Sequence, residues 1–504
     1  LNQEKINNLR NRLNRMSQIL EHRGPDGQGL WISENQNIGM VHRRLSIIDI
    51  SERGSQPMKG QNNNVIVFNG EIYNYLEIKN KLSNYWEFKS ETDTEVILAA
   101  YSYYGFDCLK HLRGMFAFSI WDNEKELLFC GRDRFGIKPF YYFLNKNDFI
   151  FASETKAILP FLNEIKTNKE ALSEYFTFQF NLEEKTLFEN IYCLKPGHYI
   201  TIKKGDMKIK KYWDVKYDIN YSLKEDECIE KLNYLINESI KLHSRSDVPI
   251  GCYVSGGLDS SLIYILNKDN PSSSNKAFHG KFSSFKDHDE SFYASEAVNH
   301  INGELFCEDI TFKDFEKNIM ELIYHLDYPC AGPGSFPQYM VAKLASQHVK
   351  VVLGGQGGDE IFGGYARYLV AYLEQCLKAG IDGTYKNGNF VVTLESIIPN
   401  LGLLREYKPM IKSFWKSGLF ESMESRYFSL INRANDTSDI VNWDTLNSDS
   451  TFETFKNIFV NRENFNKESY FDQMTHFDFK TLLPALLQVE DRMSMAHGIE
   501  TRVP

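Results

Sequence analysis

Residues 248–266 read VPIGCYVSGGLDSSLIYIL. An apolar run, Ile250–Val254, meets a serine–glycine–glycine turn, and a second apolar run with helical spacing follows. Strand, glycine loop and helix in that order form the unit of an open parallel sheet, where ligands bind beyond the carboxyl ends of the strands. Gly256 and Gly257 let backbone N–H groups approach an anion, and the helix presents its positive end to the same point. Ser255 and Ser260 add donors. Asp259 repels phosphate directly but suits a bridging Mg²⁺. A plain tight turn would explain Ser255-Gly256-Gly257 alone; the further Asp259-Ser260 favours a phosphate loop. No Gly-Lys-Ser/Thr follows, so this is not a Walker-type loop.

Further along, KVVLGGQGGDEIFGGY (350–365) repeats the plan, with six glycines between residues 354 and 364. If Lys350–Leu353 is a second parallel strand, its loop opens on the same sheet edge. Gly354, Gly355 and Gln356 are then expected beside the nucleotide. Asp359 is expected to face Asp259 across the metal, with Glu360 supporting the next helix; a flexible connector whose acids cap that helix is the alternative. Helical patterns in DECIEKLNYLINESIKLHSRS (226–246), YASEAVNHI (293–301) and FPQYMVAKLASQH (336–348) alternate with the strands, including KAFHGKF (276–282). Residues 211–504 are therefore expected to form an α/β domain with a parallel sheet, mostly helical from about residue 370.

The first 210 residues read differently. NNNVIVFNGE (62–71) is a β-branched run ending at Asn-Gly. FAFSIWD and ELLFCGRD predict a hairpin turning at Asn123–Lys125, and PFYYFLNKNDFIFAS one turning at Asn145–Asp148. GHYITIKKGDMKIKKYWDV predicts a third, turning at Lys204–Asp206. With helices such as TDTEVILAAYSYYG (92–105), residues 1–210 are expected to form an antiparallel α+β domain, joined to the next near Tyr212–Tyr221.

The chain has 504 residues, long enough for two or three cores. Its net charge of −10 disfavours a general nucleic-acid binder. No apolar run reaches the roughly 18 residues that span a bilayer, and LNQEKINNLRNRLNRM is too polar for a signal peptide. Eight scattered cysteines without CxxC spacing predict reduced, mostly buried thiols and a cytoplasmic protein.

Eight motifs then occur in order: HRGPDG (22–27), HRRLSIID (42–49), FNGEIYNY (68–75), SETDTEVIL (90–98), GRDRFGIKPFYY (131–142), SGGLDS (255–260), GGQGGDEIFGGY (354–365) and EDRMSMAHGIETRVP (490–504). By them the chain resembles the glutamine-hydrolysing asparagine synthetase family. The resemblance implies an N-terminal-nucleophile-type glutaminase domain, with antiparallel sheets between helices, ahead of an ATP-pyrophosphatase domain. It implies that ammonia from glutamine travels inside the protein to an adenylated carboxylate, aspartate by default; a uronic acid of surface-polysaccharide synthesis is the alternative acceptor. ATP and Mg²⁺ are implied, neither nucleic acid nor membrane is, and a homodimer stays open. A catalytically silent nucleotide or glutamine sensor is the rival from another class, against which the intact loops argue.

Carried over by the resemblance, Arg44 clamps the glutamine α-carboxylate and Asp93, with Glu71, holds its α-amino group. Asn69 and Gly70 form the oxyanion hole. Taken singly, Arg44 and Asp93 would read as a surface ion pair and Asn69-Gly70 as a hairpin turn. Arg492 stands where the family has a lysine near the adenylate, Gln356 where it has a glutamate, and Tyr328 where relatives often have an acid. The family's nucleophile is an N-terminal cysteine, which Leu1 does not supply. The missing strand is expected upstream, the alternative being an ammonia-dependent enzyme, and further helices are expected after Pro504.

Overall fold

The computed structural model describes residues 3–146, 148–220, 222–285, 287, 289–383, 402, 404–405, 407–416, 418, 421–446, 448–465 and 469–503. Tyr221, which bounds the expected junction, Asn147 in the second expected turn and the terminal Pro504 lie outside them.

A six-stranded antiparallel sheet organises the first domain. Its order is Asp206–Lys211, His198–Lys203, Leu127–Arg132, Gly114–Asp122, Val65–Ile72 and Met58–Lys59. The central strands read as continuous apolar runs because both faces are covered. Ile66, Phe68, Phe116, Phe118, Ile120 and Phe129 pack beneath the helices Tyr75–Leu82 and Asp93–Tyr104. Val65, Val67, Ala117, Trp121, Leu128 and Cys130, the alternate positions, pack on Met40, Phe140, Tyr142 and Ile200. Residues 39–44 and 141–144 reach that second face in smaller antiparallel sheets.

The three expected hairpins form, and local chemistry turns each. Asp122 Oδ1 accepts from the Lys125 N–H at 3.0 Å, and Asn145 Oδ1 from the Asp148 N–H at 2.7 Å. In the third, Lys203 pairs with Asp206, leaving Lys204 and Gly205 at φ +51° and +82° in a two-residue turn.

Five parallel strands form the second sheet, ordered Glu304–Asp309, Ser273–Lys281, Ile250–Tyr253, Val351–Leu353 and Glu500–Arg502. Ile250–Tyr253 and Val351–Leu353 are neighbours in register from Ile250↔Val351. Their two glycine loops therefore leave the sheet side by side. A helical part follows, including Ala366–Asp382, Met423–Ile431, Tyr470–Lys480 and Leu482–Met495.

Two expectations need correction. The chain from about residue 370 was expected to be mostly helical, but within it Glu500–Arg502 is the fifth strand of the sheet. The thiols are also less sheltered than expected: Cys108, Cys130, Cys252 and Cys330 are buried, whereas Cys228 and Cys307 are exposed. Among the described residues no helix is long and apolar enough to cross a membrane.

Candidate functional site

In the first domain, Arg44, Asn69, Gly70, Glu71 and Asp93 line one cavity of about 130 Å³. The strand Val65–Ile72 carries three of them. Its end is pinned to the helix Asp93–Tyr104 because the Ile72 N–H donates to Asp93 Oδ2 at 2.8 Å. Gly70 has φ +139°, and a Cβ there would lie 2.0 Å from the Met115 carbonyl oxygen, so only glycine fits. The buried Asn69 Nδ2 has no partner, which leaves a donor free to meet an oxyanion.

Three carboxylates, Glu71, Asp93 and Glu500, share this cavity with three arginines, Arg23, Arg43 and Arg44. Burial pushes Asp93 up to about 6. Burial also drives Glu71 well above the usual carboxylate range, against the pull of Arg502, and Glu71 Oε2 is left unpartnered. Such groups favour an ammonium ligand, which would stabilise their charged forms. Arg44 is set at the rim by a loop of carbonyls. It donates to Ser51 O at 2.7 Å, to Ile48 O at 3.4 Å and to Asp49 O. His42 lines the cavity too, and burial lowers it to about 4, so it is neutral.

Two residues of this site went unassigned in the sequence. Glu500 lines the cavity from the other domain. Arg502, fully buried on the same strand, lies 3.1 Å from Glu71 and 2.8 Å from Glu500 and donates to His243 O and Arg245 O. The ETRVP motif was the available signal, but nothing local said that its charges face the first domain.

At the parallel sheet, the SGGLDS loop is held from within. The Ser255 N–H donates to Ser260 Oγ at 3.1 Å, and the two hydroxyls are 3.0 Å apart. The Gly257 N–H donates to Ser255 Oγ at 3.2 Å. Gly256 has φ +98°, the conformation that bends the loop over the helix start. Asp259 follows on the helix Leu258–Asn267.

Asp259 and Asp359 meet where the two loops meet. Burial and then Asp359 push the Asp259 carboxyl above its usual value. Among the described residues no lysine or arginine forms an ion pair with either. Glycines make the approach possible. A Cβ at Gly358 would lie 2.3 Å from Asp259 Oδ2, one at Gly364 2.0 Å from Asp359 Oδ1, and one at Gly355 3.0 Å from the Ser260 nitrogen. Two adjacent carboxylates lacking a counter-cation are a donor set that fits Mg²⁺. Glu360 is buried and receives the Tyr365 hydroxyl, consistent with a supporting part.

Gln356 lines a largely apolar cavity of about 450 Å³ between the domains, with Tyr73, Ile137, Leu242, Leu483 and Val503. Gly354 lies beneath Glu490.

Arg492 departs from its expected place. Fully buried, it bridges Glu154 and Asp327 at 3.0 Å each and stacks over Tyr141. Arg23, Lys138, Lys156 and Asp491 complete this cluster. The helix period explains the difference: Glu490 faces the glycine loop, and a residue two positions on is turned by about 200°. Arg492 thus ties the domains together; among the described residues its ion pairs are with Glu154 and Asp327, not with the two glycine loops.

A family model described as a glutamine amidotransferase domain matches residues 2–213, and one described as asparagine synthase matches residues 231–504. The chain is 37% identical over 365 residues to asparagine synthetase (glutamine-hydrolyzing) 1 of Bacillus subtilis, covering 71% of this chain and 56% of that protein. A Methanocaldococcus jannaschii protein, provisionally named a glutamine-hydrolyzing asparagine synthetase, is 37% identical over 393 residues, covering 72% and 74%. Amidase chry2 of Gibberella zeae is 31% identical over 366 residues, covering 69% and 54%. The chain thus spans little more than half the length of the Bacillus relative.

Proposed function

The chain belongs to the asparagine synthase family, with a glutamine amidotransferase domain ahead of the synthase domain, and from that premise we propose that it amidates a carboxylate. ATP adenylates the acid, and ammonia from glutamine displaces AMP. L-Aspartate is the acceptor, so asparagine, AMP, pyrophosphate and glutamate are the products. The observation that carries this reading is the meeting of Asp259 and Asp359 where two glycine loops leave neighbouring parallel strands.

The Ser255–Ser260 loop would receive the triphosphate on its backbone N–H groups and helix end, bordered by Gly354, Gly355 and Gln356. Asp259 and Asp359 would hold Mg²⁺, which when bound offsets the phosphate charge. The acceptor oxygen attacks the α-phosphorus, and pyrophosphate leaves. In the first domain, Arg44 takes the glutamine α-carboxylate, Asp93 and Glu71 its ammonium group, and Asn69 Nδ2 with the Gly70 N–H the developing oxyanion. The apolar cavity from Tyr73 to Gln356 supports an internal route for a small neutral amine. An ATP-consuming reaction and cysteines without paired spacing favour the cytoplasm.

The test is AMP and pyrophosphate release by the full chain with ATP, Mg²⁺ and ammonium chloride or glutamine, across L-aspartate, L-glutamate and D-glucuronate. Release with aspartate supports the asparagine reading. Release with another acid alone replaces aspartate as acceptor, and release with none removes adenylation.

A further inference from the structure

The helix Leu482–Met495 carries a carboxylate that the steps above leave unused. Glu490 is 5% exposed. Its Oε2 accepts a hydrogen bond from Gln338 Nε2. Its Oε1 is sealed from solvent and completes no hydrogen bond. That oxygen lies over the second glycine loop: a Cβ on Gly354 would stand 3.6 Å from it. The Gln356 amide and the Thr501 hydroxyl face the same carboxylate as donors that favour its charged form, and Thr501 Oγ1 also shares a hydrogen bond with the Ser494 hydroxyl in which either can donate. The position where the family resemblance predicts a glutamate thus holds an amide, and a carboxylate from another element stands beside it.

An ionisable group buried with a free oxygen is costly to keep, so its persistence needs a reason. Gln356 also lines the cavity that runs from Tyr73, so an amine arriving there meets Gln356 first, and Glu490 stands against that amide outside the cavity wall. We propose that Glu490 is a catalytic carboxylate of amide formation, taking through Oε1 the proton that the attacking ammonia must lose, while Gln356 orients it. This inference rests on the adenylation reading.

The step balances within the site. The ammonia lone pair forms the C–N bond, and the acyl C–O bond breaks with its electron pair going to AMP. One N–H proton passes to Glu490 Oε1, leaving a neutral amide, and Glu490 later returns that proton to solvent. Burial raises Glu490 to about 7, which matches a base that works near neutral pH. The titratable groups facing it are Tyr253 from the strand Ile250–Tyr253 and Asp491 on its own helix; neither supplies a cation.

The experiment compares the full wild-type chain with Glu490→Gln and the exchanged pair Gln356→Glu/Glu490→Gln, using ammonium chloride and whichever acid of the panel supports pyrophosphate release. Pyrophosphate and amide are measured together, and hydroxylamine traps accumulated acyl-adenylate. Glu490→Gln is expected to lower amide formed per pyrophosphate by about 100-fold, the scale of a lost general base. Trapped adenylate should rise. The wild-type amide rate, per free ammonia, should climb with pH through about 7, and this limb should vanish in Glu490→Gln. The exchanged pair should regain about tenfold or more of the loss. A wild-type ratio of amide to pyrophosphate in Glu490→Gln overturns the inference. So does a parallel fall of both products, which marks Glu490 as structural. No pyrophosphate from the wild-type chain with any acid overturns the adenylation reading instead.

Discussion

Gly358→Ala separates stability from nucleotide binding. Its added Cβ would lie 2.3 Å from Asp259 Oδ2, 2.6 Å from Cγ and 3.1 Å from Oδ1. Ordinary contact is about 3.5 Å, so the methyl intrudes by roughly 1 Å and Asp259 must swing to another rotamer. Its carboxylate then leaves Asp359, and Mg²⁺ loses one of its two protein oxygens. Removing even a group that only hydrogen-bonds a metal ligand costs about 10- to 100-fold in affinity or activity, so at least that loss, about 1.4–2.8 kcal/mol, is expected here. The fold should not suffer. Gly358 opens the helix Gly358–Phe362 without a positive φ, and alanine in a helix gains about 0.5–1 kcal/mol over glycine. Thermal melts without ligand should be unchanged or slightly raised, while titration calorimetry with Mg²⁺–ATP shows the weakened binding. Gly364→Ala, which presses on Asp359 Oδ1 from 2.0 Å, should do the same, and the double variant should lose less than the sum. Wild-type Mg²⁺–ATP affinity in Gly358→Ala would refute Asp259 as a ligand.

Asp93→Asn should weaken glutamine binding at pH 7.5 about tenfold or more, read by calorimetry, by removing a charge that meets the ammonium group. Its effect on stability has the opposite sign. Asp93 titrates at about 6 in the fold against an ordinary 3.8, so its contribution is present below pH 4 and lost as pH rises through about 6. The wild-type chain should lose about 3 kcal/mol between these limits through this group, a slope absent from the variant in urea melts. Arg492→Met leaves Glu154 and Asp327 buried without a bridging cation and should cost about 3–5 kcal/mol in urea midpoints; pyrophosphate release per folded molecule should hold. A selective loss of release would return Arg492 to the adenylate. Gly70→Ala sets a Cβ 2.0 Å from Met115 O at φ +139° and should destabilise the chain by about 3 kcal/mol, visible as a lowered melting temperature.

What could be read in the sequence was local. Glycines at fixed offsets after an apolar run announce a strand-to-helix loop, and Ser255–Ser260 and Gly354–Gly364 form such loops. The hairpins were legible because their turns are made by adjacent residues, as when Asp122 caps Lys125. The strand Glu500–Arg502 was not, since three residues with two charges carry no strand pattern. Its charges are neutralised by each other and by Glu71, some 430 positions away in the chain. Arg492 failed for a related reason. A motif places a residue on a helix, but the face it presents depends on partners from three other segments.

Gln356 and Glu490 show the same limit most clearly. Read along the chain, an amide at 356 is a departure from the family pattern that weakens the active site. Read in space, it is one half of a pair. Oε1 of Glu490 already lies above the loop, and a second carboxylate at 356 would face it across a buried gap. Like charges that close cannot both stay ionised, and one pKa would be driven up strongly. With Glu490 in place, an amide is the side chain that can both donate to it and accept from a passing amine without that repulsion. The amide at 356 and the carboxylate at 490 are then two halves of one arrangement, visible only once the loop and the helix are brought together.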